Sequence, residues 1–66
     1  MSQTYRALLV GTGCVADEHA RAIAATRGRV LLAGAVDIDR ATVEAFCARH
    51  PGPAAHTDFA GALAAV

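Results

Sequence analysis

The sequence predicts an α/β fold, the N-terminal part of a doubly wound parallel sheet built β-α-β-α-β-α with strand order 3-2-1 and incomplete as a domain. Three observations predict it. Two apolar runs, Ala7 to Val10 and Val30 to Val36, are continuous rather than alternating, as in parallel strands buried on both faces. Each run is followed by apolar residues at helical spacing. The turn after the first run is Gly11-Thr12-Gly13, where the chain can double back tightly from strand to helix. Right-handed crossovers then set the strand order.

Met1 to Thr4 form a short polar leader, and Tyr5 to Val10 the first strand. In the first helix, Ala16, Ala20, Ile23 and Ala24 make a narrow face of small residues that can lie close to a sheet. Arg27 complements the helix dipole and Gly28 is the expected C-cap. Val30 to Val36 form the second strand, with Asp37 at its carboxyl end. Asp39 caps a helix from about Arg40 to His50, with Val43, Phe46 and Cys47 on one face, and Pro51-Gly52-Pro53 ends it. Ala54 to His56 are long enough only for a short third strand. Thr57 or Asp58 starts a last helix with Phe59, Ala62, Leu63 and Val66 on one side. The first strand is left with an open edge.

The loop Gly11 to Ala16 fits the fingerprint G-x-G-x-x-A of a dinucleotide-binding Rossmann unit. Gly11 permits the turn, Gly13 leaves the backbone bare where a pyrophosphate would approach, and Ala16 lets the helix pack on the strand. The N–H groups of Thr12 to Val15, with the positive end of the helix dipole, would then face the anion without any basic side chain. Asp37 follows about 20 residues on, where the fingerprint has an acid that accepts hydrogen bonds from the adenosine ribose. Its charge favours NAD over the 2′-phosphate of NADP, while Arg40 leaves NADP possible through a guanidinium–phosphate pair.

Composition excludes several classes. The formal charge is zero, with six arginines and no lysine, so no basic patch recommends nucleic acid as a partner. No apolar run approaches a membrane span and no signal peptide is indicated, so a cytoplasmic protein without a membrane partner is expected. Cys14 and Cys47 do not make a disulfide framework in such a setting. His50 and His56 lack the spaced partners of a metal site, His19 is read as a packing and hydrogen-bonding residue, and no catalytic residue is assigned.

The run Gly11-Thr12-Gly13-Cys14-Val15-Ala16, continuing to His19 and Ala22-Ile23, resembles the start of the glucose–fructose oxidoreductase and inositol dehydrogenase (Gfo/Idh/MocA) family. Asp37-Ile38-Asp39 resembles its D-x-D after the second strand, and Thr57-Asp58-Phe59 followed by Leu63 its third helix start. The resemblance implies an NAD(P)-dependent oxidoreductase acting on a sugar, polyol or related substrate. Within this chain it implies pyrophosphate contacts at Thr12, Cys14 and Val15, a ribose contact at Asp37 and adenine packing near Ile38. The family's catalytic lysine and its substrate-binding, oligomerising domain would lie beyond Val66, so a homo-oligomer is expected only of a full-length parent, and this piece alone is expected to be inactive. The alternative is a non-catalytic nucleotide-binding or interaction module whose sheet is completed by a partner chain.

Overall fold

The computed structural model describes residues 3 to 65; Met1, Ser2 and Val66, expected in the leader and on the last helix, lie outside the described residues. The elements follow in the order β1 (Tyr5–Val10), α1 (Ala16–Ala24), β2 (Val30–Val36), α2 (Arg40–Arg49), β3 (Ala54–His56) and α3 (Phe59–Ala65). The three strands form one parallel sheet in the order β1-β2-β3, with β2 central.

One face of the sheet carries the core. Ala16 and Ala20 of α1 and Val43 and Phe46 of α2 are buried against Ala35 of β2, with Leu9, Leu32 and Cys47 packed around them. Leu32 and Ala35 are three apart and strand side chains alternate, so both can reach this core only if the strand shifts register between them. It does: Ala7 pairs with Leu32 but Leu8 with Gly34, and Ala33 is the extra residue of a bulge. Gly34 then turns to the other face, where a Cβ would stand 3.1 Å from Leu8 Cδ1 and 3.5 Å from the His56 ring. α3 lies against all three strands and buries Ala62 completely.

Three expectations are corrected. β1 is not buried on both faces: it pairs on one side only, Ala7 to Leu9 are half-buried and Val10 is exposed. α1 stops at Ala24, with Ala25 as its C-cap, before reaching Gly28. The Thr26 side chain supplies the reason. Its hydroxyl donates to the Ile23 carbonyl at 2.7 Å and accepts from Val30 N–H at 3.0 Å, tying the helix end to the start of β2. Arg27 and Gly28 then make the reversal with φ of 57° and 89°. On α3, Phe59 and Leu63 are exposed, and among the described residues of the expected face only Ala62 is buried.

The capping of α2 is as read: the Asp39 carboxylate accepts from Ala41 N–H at 3.1 Å and from the Thr42 hydroxyl at 2.9 Å. None of the helices among the described residues is long and apolar enough to cross a membrane.

Candidate functional site

Gly11 leaves β1 with φ 90°, a conformation that a residue with a Cβ adopts only under strain. Its N–H still reaches back to the Val36 carbonyl at 2.7 Å, so the turn begins while β1 is held to β2. The chain then passes through Thr12, which is buried, and Gly13, Cys14 and Val15, which are exposed, into α1. Val15 is the N-cap residue and offers no side-chain oxygen to the helix. Ala16 N–H bonds to the Gly13 carbonyl at 3.0 Å. Among the described residues, the N–H groups of Gly13, Cys14 and Val15 have no hydrogen-bond acceptor. Donors of this kind at a helix start suit an anion.

Gly11 and Gly13 serve different ends. A Cβ built on Gly13 would meet nothing within 4 Å, and no positive φ is recorded there. Nothing in the chain itself requires a glycine at 13, and the bare space lies on the open side of the loop. Ala16, 1 % exposed, is where the helix meets the core.

Asp37, at the carboxyl end of β2, comes directly to this loop. Its Oδ2 accepts the Thr12 main-chain N–H at 2.9 Å and the Thr12 hydroxyl at 3.1 Å, and its Oδ1 accepts Asp39 N–H at 3.0 Å. These donors, the Asp39 and Thr12 N–H groups foremost, hold the Asp37 carboxyl below its ordinary value. The N–H of Thr12, expected to face a pyrophosphate, is here bonded to the Asp37 carboxylate.

Asp17 and Glu18 stand in the first turn of α1, where their charge would oppose a bound anion. Asp17 is turned away to α2: its Oδ1 meets His50 Nε2 and accepts from Arg49 Nε at 3.2 Å. The His50 bond first, then that of Arg49, lowers its carboxyl below the ordinary value. Its negative charge is therefore offset from α2. The His50 ring also packs on Phe46, with ring centres 4.7 Å apart.

Beside Asp37, an open cleft of about 280 Å³ is lined by Val10, Gly11, Val36, Ile38, Thr57 and Phe59, at the carboxyl ends of the strands. Ile38 is 95 % exposed at its rim. Arg40 is exposed too, but its guanidinium is engaged by the Thr57 hydroxyl at 3.4 Å and by Glu44 at 3.6 Å.

Sequence reasoning missed two parts of this arrangement. The pair of hydrogen bonds from Thr12 to Asp37 had a signal, a hydroxyl residue at the variable position between the two glycines. The Asp17 contact with Arg49 and His50 had none, because it depends on how α1 and α2 pack. Among the described residues, no group of three or more His, Cys, Asp and Glu side chains could hold a metal ion. Compared with protein families, with curated proteins and with solved structures, the chain matches none of them.

Proposed function

We propose that this chain is the dinucleotide-binding segment of a nicotinamide-dependent oxidoreductase of the Gfo/Idh/MocA type, a Rossmann unit that takes NAD in preference to NADP. One observation carries the reading: the acid at the end of β2 and the bare glycine loop between β1 and α1 are in direct contact, at the carboxyl ends of a parallel sheet. That is the edge where open α/β sheets bind ligands.

The residues present suit such a guest. The pyrophosphate would take the donors of Gly13, Cys14 and Val15 at the head of α1 and the space that the missing Gly13 side chain leaves. A carboxylate has about four acceptor sites. Three are in use on Asp37, which leaves Oδ1 able to accept a ribose hydroxyl. The apolar cleft at Val10, Ile38 and Phe59 offers a surface for adenine. Repulsion by Asp37 disfavours a 2′-phosphate, and Arg40, already engaged by Thr57 and Glu44, offsets it little. Once bound, nicotinamide supplies the hydride acceptor or donor. This chain binds and orients the cofactor; it holds no lysine, so the proton transfer that the family resemblance implies, and the sugar or polyol on which it acts, belong to groups outside it.

Titration of the chain with NAD and NADP tests the reading. Asp37→Ser should weaken NAD binding more than NADP binding, and equal losses would refute the assignment of Asp37. A second reading, an interaction module completed by a partner chain, is favoured by the open edge of β1 and the exposure of Tyr5 and Val10. A folded monomer in native mass spectrometry would exclude it.

A further inference from the structure

Thr12 is placed unusually for a residue of a turn. It is 2 % exposed, and it gives both its donors, N–H and hydroxyl, to a single oxygen of Asp37. The other oxygen of that carboxylate is held by Asp39 N–H, and Asp39 is itself fixed as the cap of α2. The Asp37 side chain is thus gripped between the glycine loop and the head of α2.

We propose that Thr12 is a positioning residue: its hydroxyl locks Asp37 in the orientation that admits an unphosphorylated ribose and refuses a 2′-phosphate. The inference rests on the reading of the preceding subsection and deepens it. A carboxylate tolerates a neighbouring phosphate only by turning away. For Asp37 that rotation would break its three hydrogen bonds, from the Thr12 N–H and hydroxyl and from Asp39 N–H, and strand a buried hydroxyl, whose desolvation is then uncompensated. Thr12 therefore makes discrimination against NADP a property of the loop as well as of the acid's charge, and it does so without touching the ribose.

The test compares Thr12→Val, which removes the hydroxyl at nearly constant shape, with Thr12→Ser, which keeps it. Affinities for NAD and NADP are measured by titration across pH, with circular dichroism to check the fold. Thr12→Val should lower the NAD-to-NADP preference by roughly tenfold, the order expected for one hydrogen bond to a charged group. It should also move the acid limb of NAD binding to higher pH, because Asp37 loses a donor that favours its ionised form. Thr12→Ser should restore both. In the native chain the Thr12 hydroxyl proton should exchange slowly enough to be seen by NMR, an observation that needs no variant. Unchanged preference and acid limb in Thr12→Val, equal changes in Thr12→Ser, or a freely exchanging native hydroxyl would overturn the proposal. A native chain that binds neither dinucleotide would overturn the cofactor reading itself, a result distinct from native binding with an inert Thr12→Val.

Discussion

The carboxylate of Asp37 accepts the main-chain N–H of Thr12 at 2.9 Å and its hydroxyl at 3.1 Å, across 25 residues of sequence. This contact joins the turn after β1 to the end of β2, and the sheet's carboxyl edge is organised around it. Its ionised form is favoured, and so is that of Asp17 under the hydrogen bonds of His50 and Arg49.

Both carboxyls lie below the ordinary value of 3.8 in the folded chain. A depressed value in the folded state means that the unfolded chain binds protons more readily, so stability falls as pH falls. The contribution of Asp17 and Asp37 is complete above the ordinary value and is lost as pH drops through their lowered folded values. Melting temperatures between pH 5 and pH 3 should therefore fall more steeply in the native chain than in Asp17→Asn/Asp37→Asn. Parallel slopes would contradict the account.

Phe46 is the largest side chain wholly out of solvent, and it joins α2 to Ala35 and to the small residues of α1. Truncating a buried aromatic to alanine costs about 3–5 kcal/mol. In so small a chain that is comparable with the whole stability, so Phe46→Ala should lose the cooperative thermal transition seen by circular dichroism. A cooperative transition within a few degrees of the native one would mean that the core lies elsewhere.

The Asp39 cap can be removed without disturbing the core. Asp39→Ala takes acceptors from Ala41 N–H and from the Thr42 hydroxyl and should destabilise the chain by about 1 kcal/mol. It leaves the Asp39 N–H that Asp37 uses. Denaturant unfolding measures the cost, and Asp39→Asn, another good cap, should recover most of it.

The two thiols should differ in reactivity. Cys14 is exposed on the loop, whereas burial beside the core pushes the Cys47 thiol up, away from the reactive thiolate. Iodoacetamide near neutral pH should modify Cys14 well before Cys47, as read by peptide mass spectrometry. Equal rates would show that Cys47 is not packed against the core.

Much of this fold was legible in the sequence because local signals and global packing agree. The apolar runs placed β1 and β2. Asp39 and Pro51 bounded α2, and Val43 with Phe46 announced its buried face. Other features depend on partners distant in sequence. The Ala33 bulge answers the need to bring both Leu32 and Ala35 to the core, which no pattern within β2 reveals. α1 ends early because the Thr26 hydroxyl is needed at Val30, so the glycine expected as its C-cap serves the reversal instead. Gly13 stands in the turn before α1 and Asp37 directly after β2. The Thr12 N–H bonds to a carboxylate of the chain itself, a contact across 25 residues that no local pattern in the loop reveals.

Gly13 offers the most direct measurement. Its missing side chain answers no demand of the fold, because a Cβ there would touch nothing within 4 Å, yet it borders the open N–H groups at the head of α1. Calorimetric titration with NAD should give saturable binding to the native chain and none to Gly13→Val, with the melting transition of the variant essentially unchanged. Native and variant chains that bind NAD equally well, or a native chain that does not bind it, would contradict the claim that this loop is a dinucleotide cradle.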